Sequence, residues 1–323
     1  MKVLFVCSGN SWAGISPFIR AQGESLRNAG IGLDYFAIEG RGLKGYIKAA
    51  WKLRKHLRKK KYDIVHAHYG VSAFSALLAK RKEKLVVSFM GDDIIGANRP
   101  DGSMTISGNL VASLNAFFAE RFYDHVIVKS EEMRGRLKIG NCSLIPNGVD
   151  IDRFQAKNKA QARSQLQIPM DRKLLIFVSD PGRVEKNFSL AKAAVQGLAN
   201  SRIMLLPVFN KPQEILPDYY SAADVLLLTS FHEGSPNVIK EAMACNCPII
   251  STDVGDVTWV LGNTEGCYLT SFAVDDLTEK IKMATVYTEK KDRTNGRERI
   301  LKLGLDSATI AGKIVDVYKK VSN

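Results

Sequence analysis

Glu233 and Glu241 stand eight positions apart within residues 229–252, TSFHEGSPNVIKEAMACNCPIIST. This stretch opens at the end of an apolar run, Val225-Leu226-Leu227-Leu228, with the length and bulk of a buried parallel strand. It closes on a second run, Pro248-Ile249-Ile250. Between the two, Ser235-Pro236 predicts a helix start, a hydroxyl N-cap followed by proline at the first helical position. Glu233 then falls in the loop before the helix and Glu241 about a turn and a half inside it. The backbone N–H groups of such a start, at Asn237 and Val238, suit an anion. A carboxylate there repels phosphate, so its natural partners are hydroxyls. Upstream, Arg183 and Lys186 put two cations three positions apart on a loop that follows the apolar residues 174–178. An arginine grips a diphosphate bidentately and a lysine as a point charge. The types together suit a ligand that is both anionic and rich in hydroxyls. Each also has a bland reading: a solvated helix glutamate, a charge at a helix end, a basic loop.

The combination decides between these readings. Glu233-Gly234 with Pro236, followed by Lys240-Glu241-Ala242, resembles the E-x7-E signature of the retaining glycosyltransferases of family 4 (GT4), which have the GT-B fold. The resemblance covers essentially the whole chain and is most specific over 222–252. It implies that Glu241 binds the ribose hydroxyls of a nucleotide-sugar and that Glu233 faces the donor sugar. It also implies that Arg183 and Lys186 hold the donor diphosphate, with Ser235, Pro236, Asn237 and Val238 lining the donor site. Gly14 is carried over as a donor-site glycine. Met90-Gly91-Asp92 stands where many members have His-Gly, so methionine replaces the histidine usually near the reacting sugar. Asp92, Asp93 and His68 are then candidates for contacts to sugar or acceptor, and helix N-capping competes as the role of the two aspartates. His66 and His68 alternate at a strand end and point to one face, without a carboxylate or cysteine at metal-ligand spacing.

These residues need a scaffold, and the pattern supplies one. Residues 2–7, 33–38, 63–68, 85–89, 125–128 and 143–145 read as strands alternating with helical segments, among them a basic helix from about residue 45. After a polar stretch, 151–172, that reads as a linker and an entry helix, the alternation restarts at 174–178, 203–206, 225–228 and 248–250. Such alternation predicts an α/β chain of two doubly wound, Rossmann-like domains facing across a cleft. We expect an N-terminal acceptor-side domain over 1–150 and a nucleotide-sugar-binding domain over 151–306. A C-terminal helix over 307–323 is expected to cross back to the first domain, on the resemblance.

Composition bounds the rest. In 323 residues, 46% hydrophobic and 24% charged is ordinary for soluble globular domains, and no run of about 18 apolar residues predicts a membrane span. The apolar start, residues 1–7, is too short for a signal peptide and reads as the first strand. Five cysteines without framework spacing suit free thiols in a reducing cytoplasm, and Cys245-x-Cys247 has no second pair to make a metal site. The formal net charge of +13 concentrates in residues 41–61, which carry ten Lys/Arg and no acid. That bias suggests an anionic membrane surface, with the chain peripheral on the inner face of the cytoplasmic membrane. A nucleic-acid partner is not expected, because aromatic platforms and a recognised module are missing.

The function expected is transfer of a sugar, with retention, from a nucleoside-diphosphate-sugar to a hydroxyl of a glycan or lipid-linked acceptor, in cell-surface polysaccharide synthesis. No metal or other cofactor is expected. Two alternatives stay open: another GT-B enzyme, such as a nucleotide-sugar epimerase or a phosphorylase, and a catalytically silent nucleotide-sugar-binding scaffold.

Overall fold

The apolar runs become strands that pair in parallel with their neighbours, and helices cover both faces of each sheet. The computed structural model describes all residues except 12–13, 41, 97–102, 104, 201 and 323, and the side chain of residue 43. Arg41, the first cation of the basic run, and the middle of the loop from Gly9 to Gly14 lie outside the described residues. The chain divides into two compact units, one running to Gly148 and resuming at Ser307, the other centred on Val149–Asp306.

The first unit contains β1 (Lys2–Ser8), α1 (Pro17–Asn28), β2 (Gly32–Ile38), α2 (Gly42–Lys59), β3 (Ile64–His68) and α3 (Gly70–Ala79). It continues through β4 (Lys84–Ser88), α4 (Asp92–Ile95), α5 (Ile106–Phe122), β5 (His125–Val128), α6 (Glu131–Gly135) and β6 (Cys142–Leu144). The strand order is β2-β1-β3-β4-β5-β6. Alternate residues serve opposite faces, as strand geometry requires. Leu4, Val6, Val65, Ala67, Leu85 and Val87 meet Ala49, Leu53 and Leu57 of α2, the alanines of α3, and Ala119 of α5. Ala50, Leu53 and Leu57 therefore form the buried side of α2, with Tyr46 partly buried against the same cluster. Each fully buried leucine contributes about 1.5–3 kcal/mol.

The second unit contains α7 (Lys159–Gln165), β7 (Lys173–Phe177), α8 (Phe188–Gly197), β8 (Ile203–Pro207), α9 (Leu216–Ala222) and β9 (Val225–Leu228). Next come α10 (Asn237–Ala244), β10 (Ile249–Thr252), α11 (Val257–Leu261), β11 (Cys267–Thr270), α12 (Val274–Lys291) and α13 (Gly296–Leu303). Its strand order is β11-β10-β9-β7-β8. The final helix, α14 (Ser307–Ser322), belongs to the first unit, where it packs on α1 and β4. Among the described residues no helix is long and apolar enough to cross a membrane.

Three local expectations change. The helix after Glu233 starts at Asn237 with Pro236 in the cap position, one residue later than Ser235-Pro236 suggests. The polar stretch before β7 is more than a linker: Arg163 of α7 is buried and pairs with Asp224 at 2.7 Å, and Asp224 also accepts from the Leu174 N–H. The edge strand β11, Cys-Tyr-Leu-Thr, joins the sheet although its short pattern does not suggest a strand, and only Thr270 of it is buried.

Candidate active site

In the second unit the chain leaves β7 to form β8 on one side, then returns to form β9 on the other. The carboxyl ends of β7 and β9 therefore flank a reversal of strand order, where doubly wound sheets bind ligands. The loop after β7 carries Arg183 and Lys186, and the loop after β9 carries Glu233. Thr229 Oγ1 donates to the carbonyls of Lys186 and Asn187 at 3.1 and 2.9 Å, and Phe231 N–H donates to the Glu185 carbonyl at 2.9 Å. Asn187 takes a left-handed conformation, φ 51°, as the chain turns into α8.

The stitching brings Lys186 onto Glu233, Nζ to Oε1 at 2.5 Å, and the same oxygen accepts from Ser230 Oγ at 2.8 Å. Gly255, φ +60°, lies against the carbonyls of Glu233 and Gly234, and a Cβ there would come within 2.8 and 2.7 Å of them. Glycine is needed at that position both for its φ and for the close approach. Arg183 is exposed and rests on its neighbour Glu185, Nε to Oε1 at 2.6 Å.

Glu241 sits one turn into α10 and is buried. Its Oε2 accepts from the Tyr220 hydroxyl at 2.7 Å. Burial pushes its carboxyl up to about 7, against the Tyr220 hydrogen bond and the charges of Arg153 and Lys240, which pull it down. Asn237 Oδ1, in the first turn of α10, is buried without a hydrogen-bond partner.

Beneath these groups lies a pair that sequence reasoning missed. Lys240, fully buried, donates from Nζ to Asp256 at 2.9 Å and to Ser235 Oγ at 2.7 Å, and Ser235 donates to the same Asp256 oxygen at 2.8 Å. Sixteen residues separate the two charges, and only the packing of α10 against the loop before α11 brings them together.

Residues 19–153 match the family described as Glycosyltransferase Family 4, and residues 158–285 the one described as Glycosyl transferases group 1. The fold resembles that of a sucrose-phosphate synthase from Thermosynechococcus elongatus, with TM-score 0.81, 20% identity and 99% of both chains covered. Anabaena HepE in complex with UDP-glucose gives TM-score 0.74 at 18% identity, covering 99% of this chain and 100% of that one. The fold is GT-B, and both parts of the chain match glycosyltransferase family models. TuaC of Bacillus subtilis, whose name assigns it to teichuronic acid biosynthesis, is 26% identical over 240 residues, 68% of this chain and 60% of its own length. A D-inositol 3-phosphate glycosyltransferase of Catenulispora acidiphila is 27% identical over 274 residues, 66% of this chain and 62% of its own. The chain thus spans about three fifths of the length of these curated relatives.

The remaining candidates of this GT-B chain lie in the first unit. Asp93, expected as a sugar or acceptor contact, is 2% exposed and turned inward. Its carboxylate accepts from the backbone N–H groups of Met90, Gly91 and Gly70 at 2.9–3.0 Å, which makes it the organiser of that loop instead. Burial pushes it up to about 6, against those three donors. Asp92 opens the short α4 next to it and is partly exposed. His68 is buried with both ring nitrogens unpartnered, and burial drives it down to about 3, so the ring is neutral at pH 7. It stacks on His66 at 4.4 Å. His66 bridges the Tyr318 hydroxyl of α14 at 2.6 Å and Ser88 Oγ at 2.8 Å. Gly14 has φ +70°, and nothing lies within 4 Å of where its Cβ would be.

Proposed function

We propose that the chain is a retaining family 4 glycosyltransferase, moving a sugar from a nucleoside-diphosphate-sugar to a hydroxyl of a glycan or lipid-linked acceptor in cell-surface polysaccharide synthesis. The observation that carries this reading is the Lys186–Glu233 pair at the β7/β9 reversal, beside Arg183 and the start of α10. Arg183 and Lys186 take the diphosphate, Arg183 giving up the half-buried Glu185 and Lys186 its bond to Glu233. Glu233 is then released toward donor sugar hydroxyls, and Glu241 accepts from the ribose. A buried acceptor left without a donor costs about 1–3 kcal/mol, so a ligand hydroxyl at Asn237 Oδ1 would recover that cost.

In the transfer step the bond from the sugar's anomeric carbon to the phosphate oxygen breaks, and the acceptor oxygen bonds to that carbon on the same face. The acceptor proton passes to the departing phosphate. Negative charge grows on the diphosphate as it leaves, and preorganised cations stabilise that charge most where water is excluded. We propose that these cations serve without a divalent metal, so activity should persist in excess chelator.

The membrane surface enters here as well. Lys44, Lys48, Lys52, Lys55, Arg58 and Lys59 are exposed on α2. Anionic lipid attracts each nearby cation by about 1 kcal/mol, an attraction that salt screens. A lipid-linked acceptor would place this unit at such a surface.

A thermal-shift screen of UDP, GDP, ADP and their sugars, followed by transfer with the one that binds, tests the reading. We expect one nucleotide family to stabilise the protein and the product to keep the donor's anomeric configuration by NMR. Inversion, or stabilisation by none of them, would overturn it. Donor binding with neither transfer nor hydrolysis would leave the silent scaffold.

A further inference from the structure

Helix α5 turns a broad apolar arc to solvent. Thr105 caps it by accepting from the Gly108 N–H at 3.0 Å, and its buried residues are Ala112, Asn115 and Ala119. At about 100° per residue those three share one side. Ile106, Leu110, Leu114 and Phe117, at i, i+4, i+8 and i+11, line the other side, flanked by Val111 and Phe122. Ile106 is 82% exposed and Leu110 62%, and the other four are exposed as well. A surface helix normally gives that side to polar residues, and a contiguous apolar patch marks a docking surface.

The patch continues beyond α5. Phe118 meets Phe74 of α3 edge-on at 5.9 Å, and α3 exposes Val71 and Leu78. Arg54 of α2 reaches the Leu78 carbonyl at 3.4 Å, so α2 lies alongside α3, and Trp51 of α2 is 68% exposed. The buried sides of all three helices share one cluster on one face of the sheet. Past Trp51 the surface turns cationic. Lys44, Lys48, Lys52, Lys55, Arg58 and Lys59 have no carboxylate partner among the described residues, whereas Lys60 pairs with Asp34.

We propose that this face seats on an anionic bilayer, with the arc of α5 entering the acyl boundary and the cations of α2 over the headgroup phosphates. The inference rests on the membrane reading above and adds to it the element that inserts. Charge selects the occupant. Symmetric pairing of this face with a second copy would bring two unpaired cation rows together, whereas anionic headgroups neutralise them. Trp51, between the apolar and cationic parts, has the amphipathic ring that favours the headgroup level. Arg121, stacked on Phe117 at 4.5 Å, is long enough to reach back to that level.

Sedimentation of the full chain with phosphatidylcholine vesicles, with and without phosphatidylglycerol, tests this at low salt and at about 0.5 M, where surface attraction is largely screened. We expect wild type to bind the anionic vesicles at low salt and to keep part of that binding at high salt. Leu110→Asp with Leu114→Asp should lose the salt-resistant part and bind at least about tenfold more weakly at low salt. Ile106→Ser with Phe117→Ser reads the same arc independently, and an unchanged nucleotide-induced thermal shift certifies that each variant is folded. Variants that bind like wild type at both salts overturn insertion and leave electrostatic adsorption standing. Wild type that binds no vesicles overturns both, without touching the donor-site reading, which the thermal shift reports separately. A wild-type dimer by light scattering that Leu110→Asp with Leu114→Asp makes monomeric overturns the proposal in favour of a homodimer seam.

Discussion

Lys186–Glu233 and Lys240–Asp256 are the same chemical pair in two surroundings. Their N···O distances are 2.5 and 2.9 Å, and both involve the short segment between β9 and the middle of α10. The first pair keeps 15% and 14% of its side-chain surface exposed, the second 0% and 5%. Exposure on that scale lets a lysine exchange its carboxylate for an incoming phosphate. The buried lysine has no such exchange open to it, because leaving Asp256 would strand a charge in a low-dielectric interior. On the function proposed above, residue type does not separate the working pair from the supporting one; access to solvent does.

Breaking the supporting pair should have the larger effect on stability. Lys240→Ala leaves the Asp256 carboxylate buried and uncompensated, and we expect a loss of about 3–5 kcal/mol in chemical denaturation. Lys240→Met with Asp256→Leu should recover most of it, since a buried pair replaced by apolar groups is often neutral or stabilising. A Lys240→Ala loss no greater than that of Lys186→Ala would erase the distinction.

The working pair should show the reverse pattern. Arg183→Ala and Lys186→Ala should each slow transfer by about 100-fold or more, roughly 2.7 kcal/mol of lost charge stabilisation. Their unfolding free energies should stay within about 1 kcal/mol of wild type, because partly exposed pairs contribute little. Wild-type turnover in both variants would remove them from the site.

A smaller effect sharpens the position of Glu241 between the two. Burial raises this carboxyl from 4.5 to about 7, so the stability it contributes is present below about 4.5 and lost as pH rises through about 7. Donor hydroxyls favour the ionised form, so affinity for the sugar nucleotide should rise by about tenfold between pH 6 and pH 8. Glu241→Gln should flatten that rise in calorimetric titrations. An equal slope in wild type and variant would place the titration elsewhere.

What the sequence determined by itself was periodic or local. Parallel strands here carry apolar runs, so ten of the eleven strands among the described residues could be read, the edge strands β2, β6 and β8 included; β11, four residues with one of them buried, has too short an apolar stretch to stand out. Glu233, Glu241, Arg183 and Lys186 were legible as a set because each follows a strand at short range, and the fold brings two of them, Lys186 and Glu233, into contact. Only the tertiary structure decided what depends on burial and on partners far away in the chain. Asp93 became a loop organiser because its carboxylate faces three backbone donors, one of them Gly70, 23 residues away. Arg163 turned a polar stretch into an anchor through Asp224, 61 residues on. Lys240 reads as one more helix-surface cation until Asp256 is seen beneath it. The apolar arc of α5 shows only in the fold, where Ala112, Asn115 and Ala119 are the buried residues and Ala116 and Phe118 pack partly against the core. A local pattern states which side chains share a face, but the energy of a charge or an apolar surface depends on what lies opposite, and only the folded chain supplies that.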